Sequence, residues 1–392
     1  MKNSNVNMGK KVLVFGAILQ LFLGIIYIWS VFVIPVSKAF DWNPDKVKLT
    51  TSFMLSFFVI GILSSGKIKL DSSKIVLLGG IIMSAGMIST AFIPKSIPWL
   101  IYLTYGVAGG FGVGLAYNTI VAASQKWFPQ RRGFATGISV CAFGASTVIF
   151  APLVEMLIKK FEVRNTFLIL SGLFFIAVIL LFRFIKMPES ISNNSNFAYT
   201  TKQYSTNEII KTKEFYFITI SLMLGTAAFF ILNPSFKTLA IEKGLDTNIG
   251  TVIVMLSGIC NALGRLVVPI ISEKIGRFKA AFLITATTGL FTFSLCFITG
   301  YAFIVAVAFI AFCFGGFASI YPVITSDIFG LKNVASNYGA IMIGFACSAL
   351  VFPFIFNLIN NITLKYILLG CLSIIGVIMI VLVEAIVKDK EK

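Results

Sequence analysis

The sequence predicts an all-α membrane protein in which twelve transmembrane helices form two six-helix bundles and both termini lie in the cytoplasm. Three observations support this prediction. Hydrophobic residues make up 58% of the 392-residue chain and charged residues only 12%, a balance that excludes soluble globular proteins. Apolar runs long enough to span a bilayer recur along the chain. The loops between these runs are alternately rich and poor in Lys and Arg.

Twelve apolar runs each have close to the twenty residues that a helix needs to cross a bilayer. The first run follows a pair of lysines, as a signal peptide would, but it is too long and lacks a small-residue cleavage site. We therefore interpret it as the first transmembrane helix. The runs cover residues 12–36, 49–66, 74–93, 98–123, 134–157, 166–185, 215–239, 249–271, 279–299, 301–326, 338–359 and 365–387.

The cationic residues divide unevenly between alternate loops. Counted from the N-terminus, one set of loops carries 21 of the 32 Lys and Arg residues and the other set carries 10. Cytoplasmic loops collect Lys and Arg, so this asymmetry places both termini inside the cell, in a multi-pass protein of the plasma membrane. The net charge of +17 then reflects topology. The cations are too dispersed to form a nucleic-acid surface, and no nucleic-acid partner is expected.

The longest polar stretch follows the sixth run and divides the chain into two parts of similar size. The division predicts an N-terminal bundle at 1–187, a cytoplasmic central loop at 188–212 and a C-terminal bundle at 213–392. Two bundles of six helices are typical of a transporter whose halves move about a central site. A weak internal repeat supports this division, since GGFGVGLAY at 109–117 is matched by GGFASIY at 315–321.

The composition also excludes several kinds of chemistry. The chain contains no histidine, so it lacks the commonest proton shuttle and the commonest metal ligand, and we expect no enzyme, metal site or cofactor.

The glycines of GGFGVG predict close helix packing, because a phosphate-binding loop would follow a strand. The cysteines all lie in apolar runs and are interpreted as small core residues. They are Cys141, Cys260, Cys296, Cys313, Cys347 and Cys371.

One cation lies inside an apolar run. Arg265 belongs to the eighth run, and the next charged residue, Glu273, follows eight positions later, about 12 Å along a helix. A side chain cannot easily reach water over that distance, and burying the cation costs on the order of 3 kcal/mol. Asn261 lies one turn earlier on the same face. The pair predicts half of an anion site, and the alternative is a structural cation that caps carbonyls of neighbouring helices.

Three segments carry a resemblance to a known family. QLFLGIIYIWSVFVIP, GGFGVGLAYNTIVAASQKWFPQRRGFATGIS and NALGRLVVPIISEKIGR resemble the oxalate/formate antiporter family of the major facilitator superfamily, which is related to the monocarboxylate transporters. The resemblance covers the whole chain, and KWFPQRRGFATG is its most specific piece. The loop GKIKLDSSK departs from the superfamily pattern because it lacks the usual G-R ending. The resemblance implies the major facilitator fold and a monomeric transporter of small organic anions in the lipid bilayer.

The resemblance also implies a set of site residues. In the family an arginine of helix 8 binds the substrate carboxylate, and aromatic residues of helices 1, 4 and 10 line the same cavity. Polar residues near them would complete the site. For each tyrosine, core or interfacial packing is the alternative interpretation. The residues in question are Arg265, Tyr27, Tyr117, Tyr321, Gln20, Asn118 and Asn261.

One position departs from the oxalate exchangers of the family. Those proteins carry a second cation, a lysine shortly after an N-Y-G turn in helix 11, and in NYGAIMIGFACSA the nearest position is Phe345. With one buried cation, a dianion would leave net negative charge in a low-dielectric cavity. We therefore expect a monocarboxylate such as formate, lactate or pyruvate, with oxalate less favoured. Exchange and proton-linked symport are both open as the transport mode.

Two other functions are open alternatives. The protein could be a multidrug or other solute exporter of the same fold, although a buried arginine without a buried acid argues against cationic substrates. It could also be a membrane sensor that binds an anion without moving it. We would expect a sensor to carry a soluble output domain, and the short termini offer none.

Overall fold

The computed structural model describes residues 2–188 and 202–391, and this part of the chain is built from helices and turns, as predicted. The helices, in chain order, are α1 (Lys2–Leu23), α2 (Trp29–Phe40), α3 (Pro44–Ser65), α4 (Ser72–Ala91), α5 (Gly110–Trp127), α6 (Arg132–Leu181), α7 (Thr206–Ile209), α8 (Lys213–Leu232), α9 (Phe236–Glu242), α10 (Thr247–Ile275), α11 (Arg277–Ser294), α12 (Ala302–Phe329), α13 (Val334–Asn357) and α14 (Ile362–Glu391).

Ten helical segments in the described residues are long and apolar enough to cross a membrane, whereas the sequence predicts twelve. The fifth and sixth runs are counted together as α6, but they form two helices that meet at Glu162, where the backbone is non-helical with a φ of 64° and a ψ of 169°. The ninth run forms α11, whose first turn contains Arg277 and Lys279 and so lowers its mean hydropathy. The twelve-helix count therefore stays a prediction, with these two segments accounting for the difference.

Two predicted runs contain irregular helix. The first run passes from α1 to α2 through a 3₁₀ turn at Gly24–Ile28, and the fourth begins with a π-helical segment at Tyr102–Gly109 before α5. An aromatic group packs between these segments, with the rings of Trp29 and Tyr105 4.5 Å apart. The indole nitrogen of Trp29 donates a hydrogen bond to the carbonyl of Val47 over 3.0 Å. This bond fixes the start of α2 against α3.

The glycine cluster of α5 packs against neighbouring helices, as predicted. A Cβ at Gly110 or Gly114 would collide with the carbonyl of Met54 or Phe58 on α3. A Cβ at Gly112 would come within 2.5 Å of the Gly79 carbonyl and 2.9 Å of the Met83 nitrogen on α4. The glycines thus allow backbone contact on two sides of α5.

Gly112→Ala should lower the thermal stability of the detergent-solubilised protein, because the added methyl meets backbone that cannot yield. We expect a loss of about 1–3 kcal/mol, typical of overpacking. Gly172→Ala is the matched control, since nothing lies within 4 Å of its Cβ position. This control should be neutral or should gain up to about 1 kcal/mol. Equal melting temperatures for the two variants, measured by tryptophan fluorescence, would contradict the close contact.

The chain forms two compact units. Unit 1 contains the described residues of Met1–Ala135, Ala142–Thr200 and Val334–Gly339. Unit 2 contains those of Thr136–Cys141, Thr201–Asn333 and Ala340–Lys392. Helices α6 and α13 therefore each contribute a segment to both units, whereas the predicted bundles 1–187 and 213–392 are uninterrupted.

The predicted central loop 188–212 is described only in part, because its residues 189–201 lie outside the described residues. After them, the backbone nitrogen of Tyr204 donates to the carbonyl of Phe329 over 3.0 Å. The side chain of Asn333 donates to the Tyr204 carbonyl over 2.9 Å. The end of the loop is thereby attached to the turn between α12 and α13.

Candidate functional site

The side chain of Arg265 is buried in unit 2. It projects from α10 with 1% of its surface exposed, and its Nε donates a hydrogen bond to Oδ1 of Asn261 over 3.0 Å. The two residues are one turn apart, so the helical spacing itself brings them together. The prediction that Arg265 and Asn261 project into one space is confirmed. Asn261 orients the plane of the guanidinium.

Small residues bring α10 and α12 into backbone contact beside this pair. A Cβ on Gly264 would collide with the carbonyl of Phe312, and a Cβ on Gly315 would collide with the carbonyl of Asn261. The same Cβ on Gly315 would lie 3.0 Å from the backbone nitrogen of Arg265. Close approach of this kind needs glycine at both positions. The backbone that carries Arg265 is therefore held firmly against α12.

The segment Thr136–Cys141 of α6, which belongs to unit 2, lies on another side of Arg265. A Cβ at Gly137 would lie 3.0 Å from the carbonyl of Leu266 and 3.5 Å from that of Arg265. One turn further along α6, the thiol of Cys141 is within electrostatic reach of the Arg265 guanidinium. Sequence reasoning missed Cys141. The signal was its i, i+4 spacing from Gly137, directly after the KWFPQRRGFATG motif.

The interpretation of the cysteines as small core residues holds for Cys313 and for Cys296, which packs against the hydrophobic core of unit 2. All six are free thiols, and only Cys313 is buried. Cys371 is exposed, and the other four have intermediate exposure. An apolar run does not distinguish a residue facing the core from one facing a cavity or lipid, because all three positions accept a small apolar side chain.

Tyr321 lies in the interior of unit 2. Its hydroxyl is 2.8 Å from the hydroxyl of Ser221 on α8, and only 1% of its surface is exposed. It lines a small cavity with residues that include Phe278 of α11 and Ile380 of α14. This position favours the packing alternative for Tyr321. Its role in substrate binding stays a prediction.

Phe345 belongs to an aromatic group formed by α8, α12 and α13. Its ring centroid is 5.0 Å from that of Phe230 and 6.0 Å from that of Phe314. Phe314 also stacks on Phe229, with centroids 3.9 Å apart. Because Gly315 follows Phe314 and touches Asn261, this group lies close to the level of the Arg265 pair. An apolar wall thus occupies the position where the resemblance led us to look for a second cation.

Three of the predicted residues of the N-terminal half meet in unit 1. Nε2 of Gln20 donates to the carbonyl of Tyr117 over 3.2 Å. The rings of Tyr117 and Tyr27 both pack on Phe143 of α6, with centroids 4.7 Å and 5.3 Å away. The structure therefore connects Gln20 to Tyr117 and packs Tyr117 and Tyr27 on Phe143, which sequence reasoning did not single out. Whether they bind substrate stays a prediction.

Asn118 is separate from that group. It is 1% exposed, and its Nδ2 lies within hydrogen-bonding distance of the Ile62 carbonyl, the Ser65 hydroxyl and the Ala335 carbonyl, at 3.1, 2.9 and 2.8 Å. These contacts attach α5 to α3 and to the start of α13 within unit 1. The geometry gives Asn118 a structural role, and its predicted role in substrate binding stays a prediction.

Asp327, near the end of α12, forms an ion pair with Arg277. Its Oδ2 accepts a hydrogen bond from Nε of Arg277 over 2.8 Å. A terminal nitrogen of Arg277 also donates to the hydroxyl of Ser272 over 2.6 Å and to the carbonyl of Pro269 over 3.2 Å. Arg277 therefore joins the ends of α10 and α12.

Comparison with known proteins identifies the family. A sequence model of the Major Facilitator Superfamily matches residues 14–353 and 226–392. The chain belongs to the Major Facilitator Superfamily. It is therefore a multi-pass membrane transporter and not an enzyme, as the sequence predicts.

Relatives of this major facilitator protein include transporters of small anions. The uncharacterized MFS-type transporter YhjX of Escherichia coli K12 is 24% identical over 357 residues, which cover 89% of this chain and 88% of the relative. The oxalate:formate antiporter of Oxalobacter formigenes is 27% identical over 81% of this chain and 76% of its own. Monocarboxylate transporter 12 of Xenopus laevis is 26% identical over 71% and 66%. These relatives agree with the oxalate/formate antiporter resemblance.

Solved structures of the superfamily share the fold. The fucose:proton symporter of E. coli superimposes with a TM-score of 0.70 at 13% identity and covers 95% of this chain and 98% of its own. The proton:xylose symporter XylE superimposes with a TM-score of 0.66 at 14% identity and covers 95% of each chain. At such low identity the likeness concerns the fold alone.

Proposed function

We propose that this major facilitator protein is a secondary active transporter of small organic anions, monocarboxylates above all, that works by alternating access. We propose twelve transmembrane helices in two bundles, with both termini in the cytoplasm. The observation that supports an anionic substrate most strongly is Arg265, a guanidinium that is 1% exposed in the middle of an apolar helix. Ionisable residues inside membrane helices are rare and commonly mark a substrate or ion pathway.

The carboxylate of the substrate docks on the terminal nitrogens of Arg265, while Nε remains bonded to Asn261. A planar guanidinium and a planar carboxylate match in a bidentate, charge-assisted pair, which is shorter and stronger than a neutral hydrogen bond. The 3.0 Å bond from Nε to Asn261 holds the guanidinium plane ready for this pair. Asn261 is therefore a positioning residue in the proposal.

Docking of the carboxylate on Arg265 adds a charge-assisted pair inside the closed site. The loaded protein therefore changes the side to which its site is open more readily than the empty protein does. The protein then exchanges one anion for another. Proton-linked symport is the alternative mode, in which a proton crosses the membrane together with the anion.

The substrate class follows from the charge and shape near Arg265. One guanidinium balances one carboxylate, and the aromatic group of Phe230, Phe314 and Phe345 offers an apolar surface without a second cation. Two relatives are an oxalate:formate antiporter and a monocarboxylate transporter, which supports small carboxylates as the substrate class. Formate, lactate and pyruvate therefore come first, and oxalate is disfavoured.

Counterflow into proteoliposomes tests the function and its rivals. Vesicles loaded with unlabelled formate, lactate, pyruvate or oxalate should take up the same labelled anion, with the monocarboxylates faster than oxalate. Imposed pH gradients separate exchange from proton symport. If none of the four anions is taken up while ethidium is, the protein is a drug exporter. Substrate-induced thermal stabilisation without uptake would indicate an anion sensor.

Cys141 offers a test of the docking position in the unaltered protein. Because its thiol is within electrostatic reach of Arg265, a docked carboxylate should shield it from a negatively charged methanethiosulfonate reagent. We expect the reaction rate at Cys141 to fall about ten-fold or more at a pyruvate concentration 100 times its Kd, where nearly all sites are filled. Cys141→Ser identifies the signal from this thiol among the six cysteines. Equal rates with and without saturating substrate would place the substrate elsewhere.

A further inference from the structure

The part of α6 that precedes its break at Glu162 carries a shallow, open depression on its surface, here called the charged cavity. The cavity has a volume of about 430 Å³ and is lined by Pro152, Glu155, Met156, Lys159 and Lys160. All five residues are exposed, and three of them are charged at neutral pH. Lys159 and Lys160 follow the predicted fifth run, 134–157, and long cationic side chains at the end of a run reach the aqueous interface. This face of α6 therefore borders an aqueous space.

The same face of α6 approaches Arg265 at the other end of the helix. Cys141, Val148, Pro152 and Lys159 follow one another at spacings of seven, four and seven residues, which keeps them on one helix face. The opposite face packs into unit 1 through Val154, with 0% of its surface exposed. Cys141 is within electrostatic reach of Arg265, and Lys159 lies about 27 Å further along the helix.

The third cation near this end of α6 has a structural role. A terminal nitrogen of Arg164 donates to the carbonyl of Ile93 over 2.8 Å, and its guanidinium lies 5.1 Å from the centre of the Phe40 ring. Arg164 thus fastens the ends of neighbouring helices in unit 1. Lys159 and Lys160 line the cavity instead, and together with Glu155 they give it a net positive charge.

We propose that Glu155, Lys159 and Lys160 form an entry site that attracts small carboxylate anions before they reach Arg265. This inference rests on the proposed transport of organic anions, with this end of α6 on the outside of the cell. Lysine ammonium groups are compact, strongly hydrated charges, so they hold an anion loosely and release it. Glu155 adds a negative charge that repels the anion and shortens the time for which the anion stays at this site. Attraction by such a surface raises the rate of encounter and weakens with salt.

Charged thiol reagents measure the potential of the cavity without any need for transport. Met156→Cys, in a chain whose six native cysteines are replaced by serine, places a thiol in the cavity. We expect Lys159→Gln with Lys160→Gln to lower the ratio of anionic to cationic methanethiosulfonate rates about three- to ten-fold. Glu155→Gln should raise this ratio. Lys95→Gln, an exposed lysine outside the cavity, should leave it constant.

Uptake of labelled pyruvate then tests the role in entry. The double lysine variant should raise KM about three-fold or more in low salt, with a saturating rate within two-fold of the native protein and with the difference shrinking at 0.5 M NaCl. A KM equal to that of the native protein would overturn the entry role, and an unchanged reagent ratio would overturn the anion-attracting cavity. If no carboxylate is transported by the native protein, the proposed function fails by itself, and the reagent ratio still decides whether the cavity attracts anions.

Discussion

Arg265→Ala is expected to abolish carboxylate exchange in proteoliposomes while the protein stays folded. The substitution removes the charge that the substrate neutralises, and truncating one partner of a buried charge pair costs about 2–5 kcal/mol. Such a loss corresponds to a fall in kcat/KM of roughly 30-fold to several thousand-fold. The measurement is the initial rate of labelled pyruvate uptake against concentration, with thermal unfolding of each variant in detergent as the check on folding.

Two matched variants separate charge from geometry. Arg265→Lys keeps the charge but loses the bidentate fork, so we expect a raised KM with some exchange retained. Asn261→Ala keeps the guanidinium and removes the 3.0 Å bond to its Nε. This variant should lose about 1 kcal/mol, or roughly five-fold in kcat/KM, which is the contribution of one hydrogen bond. A folded Arg265→Ala protein that exchanges pyruvate at the native rate would end the assignment of this residue to the site.

The sequence predicts this part of the site because the relevant distances lie within one helix. Arg265 and Asn261 are four residues apart, and an α-helix places such side chains on one face whatever surrounds them. The glycine contacts of α5 are predictable for a similar reason, since glycine clusters in apolar helices commonly allow close packing. Each of these predictions depends only on the regular geometry of a single helix.

The remaining features depend on tertiary packing, which spacing along one helix does not give. Tyr321 and Asn118 belong to segments that the resemblance associates with a cavity, yet Tyr321 bonds to Ser221 of α8 and Asn118 to the backbone of α3. The direction a side chain takes depends on the rotation of its helix against its neighbours. Cys141 was missed because only the contact of Gly137 with α10 reveals which way that face of α6 points.

Hydropathy predicts where these helices separate, but not the backbone geometry at the separation. The apolar pattern predicts separate fifth and sixth helices, and the non-helical backbone at Glu162 divides α6 into two helices between the two runs. A positive φ is uncommon for a residue with a side chain, and no composition rule forecasts it at a glutamate. The π-helical segment at Tyr102–Gly109 is equally invisible to hydropathy, because it changes the backbone bonding and not the polarity.

Phe345→Lys is expected to confer oxalate exchange on the protein. The new ammonium would lie among the rings of Phe230 and Phe314, whose centroids are now 5.0 and 6.0 Å from that of Phe345. Aromatic faces offset part of the cost of burying a cation. Two cations in one cavity would neutralise a dicarboxylate, just as Arg265 alone neutralises a single carboxylate. We expect oxalate uptake to rise at least about ten-fold, equivalent to about 1.4 kcal/mol of added stabilisation.

The same variant should lose monocarboxylate exchange, because formate or pyruvate would leave one buried cation unpaired. Phe345→Gln is the matched control, since it introduces a polar side chain without charge and should gain no oxalate uptake. Phe345→Met keeps the wall apolar at similar volume and should retain the native preference. Equal gains of oxalate uptake in the lysine and glutamine variants would mean that cavity size and not charge sets the selectivity. A folded lysine variant that still rejects oxalate would remove Phe345 from the determinants of specificity, because charge is the property that distinguishes a dianion from a monoanion at this depth.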